Sequence, residues 1–411
     1  MRLSSKFPLL GLAALAAVGC QKPVELEWSY ASGSGSRSSP ALTKDLVLFG
    51  NEAGYLNAVD RGDGSFRWRF PTTKEIVSSP AVEGQRVFFG STNYSVYAVE
   101  LESGRLAWEH TTHDRIKASP AIAGGLAYVG SYDGHLYALG LTNGQPAWQF
   151  PPSPEQEGAA AGARAGAATA STVNVPGAAP ILGAVAGAVA GAVAGANAAA
   201  AVVTPPPRAF SYARAAVGEG TVYAGNLDGY LYALDARTGA LRWRFKTGDG
   251  ITSSPLLADG TLYVGSNDHR IYALTGLSNA QGPTVKWSFQ TGDAVNAPPA
   301  LDGKTLFVGS TDHQLYALDA ASGRKLWTAQ LQGPIYGKAA PYKNLVFVGA
   351  GAGDGRLYAF DAASGKEFWK YEGGETGSKI QSDPVIDGDH LYTVTGAGTL
   401  LSFKINKTMS D

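Results

Sequence analysis

A single cysteine, Cys20, stands in 411 residues, with two methionines and six histidines. The chain can therefore form no internal disulfide and no multi-thiolate metal site. The histidines (His110, His113, His135, His269, His313 and His390) show no metal-ligand spacing. His269 and His313 each follow an aspartate in matching segments, so they read as turn residues inherited through a repeat. Charge is sparse, at 16% Asp, Glu, Lys and Arg with a net of −1 and no basic block. Electrostatic capture of nucleic acid needs a clustered positive surface, so that function is set aside. No Gly-x-Ser-x-Gly elbow, P-loop or EF-hand loop occurs. Asp60 to Gly64 has the composition of a Ca²⁺ loop without its length or terminal glutamate, and reads as a turn. The expectation is a protein without catalytic residues, metal or cofactor.

The N-terminus supplies a reason for the lone thiol. Arg2 and Lys6 precede a short apolar stretch from Phe7 to Val18, the pattern of a secretory signal too short to span a bilayer. It ends in Ala17-Val18-Gly19-Cys20, which resembles a bacterial lipobox with Ala17 where leucine is usual. Residues 1–19 are read as the signal, Cys20 as the acylated residue and 20–24 as its tether. A free thiol in a differently cleaved chain is the other reading. Gln21 follows the cysteine, which implies the outer membrane by the enterobacterial sorting pattern and leaves the inner membrane open.

Eight tryptophans then mark out the chain: Trp28, Trp68, Trp108, Trp148, Trp243, Trp287, Trp327 and Trp369. Successive tryptophans lie about 40 residues apart, except that the interval from Trp148 to Trp243 is more than twice as long. Such a period, with four short strands per unit, predicts an all-β fold, an eight-bladed β-propeller. Each unit starts with a strand ending in small residues and proline, as at Ser78-Ser79-Pro80. An apolar strand and a Gly-Ser-x-Asp turn follow (Gly130 to Asp133). The third strand alternates (Leu136 to Leu139), and a Thr/Ser-Gly turn leads to the strand bearing the tryptophan. Each indole is expected to dock across a blade interface. The final unit, Ser382 to Ile405, has three strands and no tryptophan, whereas Glu25 to Tyr30 is an orphan fourth strand. Joining them closes the ring and removes both free edges. Residues 25–151 hold the closing strand and blades 1–3, and 209–407 hold blades 4–8 of a monomeric ring.

Between them lies an Ala/Gly/Pro-rich insertion, 152–208. The stretch from Trp148 to Ala215 corresponds to that from Trp108 to Pro120 and exceeds it by roughly 55 residues. Within Ile181 to Val203, glycines 183, 187, 191 and 195 recur every fourth residue, a spacing that would give a helix one smooth face. Glycine costs a helix about 1 kcal/mol per residue, and Asn197 interrupts the run. A linker, a helix that packs or self-associates, and a membrane-seeking segment all remain open.

The unit Ala-x-Asp-Ala-x-Ser/Thr-Gly-x-x-x-Trp, clearest from Leu234 to Trp243, Leu318 to Trp327 and Phe360 to Trp369, resembles the quinoprotein (PQQ) type of propeller repeat. One branch of that family comprises quinone-dependent dehydrogenases. Their members carry large caps, a vicinal cysteine pair and Ca²⁺ ligands, none of which this sequence shows. With its minimal blades and its lipobox, the chain is more similar to the BamB-like lipoproteins of outer-membrane β-barrel assembly. That resemblance implies a non-catalytic, lipid-anchored periplasmic scaffold that docks BamA-like periplasmic domains. It places Arg115, in Thr112-His113-Asp114-Arg115 ahead of Ala118-Ser119-Pro120, at the docking loop, with Thr112 and Asp114 where the family has leucines. The alternatives are a quinone-binding protein and a propeller lipoprotein with another cell-envelope partner.

Overall fold

The computed structural model describes residues 22–152, 209–210, 212–372 and 379–406. The signal segment 1–19, Cys20 and residues 153–208 of the insertion lie outside the described residues, and so do the expectations attached to them. Among the described residues there are 32 strands and no helix. The strands form eight antiparallel sheets of four. The molecule is an eight-bladed β-propeller.

Blade 3 shows how the repeat builds a sheet. Its strands are Ala121–Ala123, Leu126–Gly130, Leu136–Gly140 and Pro146–Phe150, from the axis outward. The turn after the second strand is fixed by Asp133, whose Oδ1 accepts the His135 N–H at 2.9 Å, and by Gly134 at φ +89°. In the third strand Leu136, Tyr137, Ala138 and Leu139 are all buried. Their alternation is therefore not core against solvent. Leu136 and Ala138 pack toward blade 4, and Tyr137 and Leu139 toward blade 2, because every blade is covered on both faces by its neighbours.

The ring closes through its termini. Val24–Ala31 pairs antiparallel with Thr399–Ile405, from Val24 opposite Ile405 to Ala31 opposite Thr399. Blade 8 thus takes three strands from the C-terminus and its outer strand from the N-terminus. At the seam the Asn406 N–H bonds the Pro23 carbonyl at 2.8 Å.

One expectation is corrected. The Ser-Ser-Pro segments do not end the first strand but precede it, since pairing starts at Ala81 and Ala121. Proline has no N–H to give a ladder. The N–H groups of Ser39 and Ser79, each directly before the proline, are donated to the neighbouring blade instead.

Candidate functional site

Those displaced N–H groups form a belt around the axis. The Ser39 N–H bonds Ser79 Oγ at 2.9 Å, the Ser79 N–H bonds Ser119 Oγ at 2.8 Å, and the Asp383 N–H bonds Ser39 Oγ at 2.8 Å. On the far side, the Arg214 N–H bonds Ser254 Oγ at 2.8 Å and the Lys338 N–H bonds Asp383 Oδ1 at 2.7 Å. The side chain of Arg214 turns away from the mouth, its Nε donating to the Pro120 carbonyl at 2.9 Å. Above the belt lies an axial cavity of about 340 Å³, lined from all eight blades. Its mouth is formed two residues ahead of each belt position, by Arg37 and Lys117 among aromatic and polar side chains that include Tyr212, Thr252, Tyr336 and Gln381.

Two carboxylates respond to this setting in opposite directions. Asp383 faces the cavity, and burial pushes its carboxyl above the usual aspartate value despite the Lys338 N–H and the charges of Lys338 and Arg214. Asp133 is also buried, yet hydrogen bonds from His135, the His113 N–H and Tyr137 outweigh burial and hold it at about 2. It therefore works as a clamp, tying the connection at His113 to the turn that follows Gly130.

The rim on blades 3 and 4 carries the sequence-predicted Arg115. Its guanidinium lies 5.2 Å from the Tyr132 ring centre, and Lys117 Nζ lies 5.1 Å from the same ring. Lys117 also sits 5.0 Å from the Tyr212 ring and donates to the Tyr212 hydroxyl at 2.9 Å. Burial raises the Tyr212 pKa, but the hydrogen bond and the charges of Lys117 and Arg37 bring it below the ordinary tyrosine value. The Arg115 side chain is half exposed, and its loop is fixed by Thr112 Oγ1 donating to the Asp114 carbonyl at 2.8 Å. Sequence reasoning named Arg115 and missed Lys117, Tyr132 and Tyr212. The last two are separated in sequence by the whole insertion and become neighbours only through the ring.

The tryptophans lie away from this site, in the blade interfaces. Trp68 Nε1 donates to the Leu101 carbonyl of the next blade at 3.0 Å, and Trp108 Nε1 to Leu141 at 2.9 Å. Trp148, Trp243, Trp287 and Trp327 make the same bond to Ala236, Leu277, Ala320 and Ala362. Trp28 packs on Tyr392 and over Gly64, and Trp369 meets Phe403 edge-on.

A Ca²⁺-bound quinone of the dehydrogenase kind does not fit these residues. It calls for several acidic and amide ligands together, and the axial cavity offers Asp383 as its one carboxylate. Among the described residues no group of three or more His, Cys, Asp or Glu is placed to hold a metal ion.

Fold and rim define a propeller of PQQ-type repeats with a polar axial cavity and a cationic, aromatic edge. A family model described as outer membrane protein assembly factor BamB matches residues 25–190, 186–294 and 275–408, and the chain belongs to that family. Among solved structures it is similar to BamB from Moraxella catarrhalis, at 16% identity and TM-score 0.68 over 94% of this chain and 98% of that one. It is also similar to the computationally designed Ika8 protein, at 15% identity and TM-score 0.68 over 92% and 99%. Quinohemoprotein alcohol dehydrogenase from Comamonas testosteroni aligns at 13% identity and TM-score 0.69 over 94% and 77%. Identities this low establish the shared fold alone, and a designed ring scores as well as natural ones. No curated protein sequence matches the chain.

Proposed function

We propose that the protein is a non-catalytic periplasmic scaffold, lipid-anchored at Cys20, that assists outer-membrane β-barrel assembly by docking a BamA-like periplasmic domain at Arg115. The observation that carries this reading is the rim itself. Arg115 is presented on a loop braced by Thr112, Asp114 and Asp133, beside Tyr132 and Lys117. A braced cation next to aromatic rings loses little freedom on binding, and arginine and tyrosine are the residue types that dominate protein interfaces. Membership of the BamB family supports the same partner class.

The test is a pull-down with purified BamA periplasmic domains, comparing the full chain with Arg115→Ala. Capture at micromolar protein by the full chain is expected, with affinity about tenfold or more weaker in the variant, the loss typical of an interface arginine. Equal capture by both proteins removes Arg115 from the interface. No capture by either favours a different cell-envelope partner for the same ring.

A further inference from the structure

Four serines of the axial belt, Ser39, Ser79, Ser119 and Ser254, share a hydrogen-bonding state that the ring imposes. Each Oγ accepts a backbone N–H from the neighbouring blade; Ser39 also hydrogen-bonds the Asp383 carboxyl, whereas Ser79, Ser119 and Ser254 donate to no other protein group among the described residues. The serines one position earlier have spent their hydrogens: Ser78 Oγ donates to Gly90 O at 2.8 Å, while accepting the Gly90 N–H, and Ser253 Oγ donates to Ala297 O at 2.9 Å. The hydroxyls of Ser79, Ser119 and Ser254 therefore keep their hydrogens for the cavity that they line.

The mouth adds donors of the same sign. The Lys117 ammonium, the Arg37 guanidinium and the hydroxyls of Tyr212 and Tyr336 face that space, whereas Asp383 is its one acid. Asp383 is already engaged, with Oδ1 accepting the Lys338 N–H and the carboxyl taking a hydrogen bond from Ser39. Arg37 leans on Glu52 at 3.1 Å, outside the belt, which leaves Lys117 as the cation answered only by aromatic rings and a phenol. A pocket with a surplus of donors and a cation is matched by a ligand with only acceptors.

We propose that the axial cavity binds a small oxyanion, a carboxylate or a phosphate, held by the belt hydroxyls, Lys117 and the Tyr336 hydroxyl at the mouth. Its volume, about 340 Å³, suits a compact metabolite rather than a folded partner. The proposal does not depend on partner docking at Arg115, and either can fail without the other.

Isothermal titration calorimetry of the full chain with citrate and with inorganic phosphate tests it, and the arm that saturates assigns the ligand as carboxylate or phosphate. One saturable site is expected. Lys117→Thr, which installs the residue type that blade 5 has at Thr252, should weaken binding about tenfold, the loss expected for one charge-assisted bond. Tyr336→Phe removes one donor from the mouth and nothing from the belt, and should weaken binding several-fold. It carries the test alone if the melting curve shows that Lys117→Thr disturbs the ring. No saturation with either anion at millimolar concentration overturns the proposal, as does binding undiminished in the correctly folded variants.

Discussion

Gly104 has a left-handed backbone at φ +65°, and a Cβ built on it would lie 2.5 Å from Trp68 Cε3 of the preceding blade. Gly144 stands in the same relation to Trp108, with φ +68° and a separation of 2.6 Å. The Thr/Ser-Gly dipeptide was legible in the sequence as a turn. Its second role, as the seat of a tryptophan from the preceding blade, was not, because it arises only when blades stack. Gly84 separates the two roles, since it is left-handed too, at φ +58°, with nothing within 4 Å of where a Cβ would stand. Gly84→Ala should cost only the backbone term, about 1 kcal/mol. Gly104→Ala must also displace a packed indole, a further cost of about 1–3 kcal/mol. Urea unfolding at constant m-value reads the difference as a lower midpoint for Gly104→Ala. Equal midpoints would mean that the indole yields freely and does not lock the interface.

At the scale of the element, the same tryptophan explains a neighbour in the third strand. In blades 1 to 7 an alanine of the third strand lies directly across from it, as with Ala58 opposite Trp68, Ala138 opposite Trp148 and Ala317 opposite Trp327, and in blade 8 Ser402 takes that place opposite Trp28. The register shifts immediately after each of these alanines, a bulge that adds twist where the blade widens. The aspartates of the second turn carry a comparable hidden duty. Asp228, Asp268 and Asp354 accept the hydroxyls of Tyr232, Tyr272 and Tyr358, four residues on, at 2.6–2.8 Å. Period and strand count could be read from one chain because they repeat, and ring closure because the incomplete last unit and the orphan N-terminal strand complement each other. The belt and its cavity could not, because they assemble single residues from eight separate segments. The insertion interrupts none of these devices. Trp148 Nε1 still reaches Ala236 at 3.0 Å, 88 residues away where an uninterrupted pair such as Trp108 and Leu141 spans 33. Beyond the insertion, the Phe210 N–H bonds the Ser131 carbonyl as the Ile116 N–H bonds Ser91. Deleting 153–207 restores the spacing that Trp108 and Pro120 have in the uninterrupted repeat, and the deletion variant should melt within about 2 °C of the parent by circular dichroism. A fall of about 10 °C or more would show that the insertion holds blades 3 and 4 together.

For the whole molecule, strand direction relates the proposed anchor to the proposed docking rim. Val24–Ala31 is an outer strand, so it starts at the end of the ring that carries the first-to-second and third-to-fourth strand turns, where Asn406 meets Pro23. Arg115 and Tyr132 lie at the opposite end, in a blade-to-blade connection and a second-to-third strand turn. A lipid on Cys20 is four residues from Val24, a reach of about 14 Å at full extension. With the proposed lipid on Cys20, so short a tether would hold the seam end against the bilayer and turn the Arg115 rim and the mouth of the axial cavity away from it. That is the orientation in which a soluble periplasmic domain can reach the rim unobstructed. Once Cys20 is acylated the protein has no other thiol, so one added cysteine reports position cleanly. Gln85→Cys places a fluorophore in an exposed turn at the seam end, and His113→Cys places one in the connection beside Arg115, where the side chain is 88% exposed. With the acylated full chain on vesicles containing a headgroup-level quencher, the label at position 85 should be quenched and the one at position 113 should not. Equal quenching, or quenching of the 113 label alone, would turn the rim toward the lipid and leave a BamA-like domain no access to Arg115.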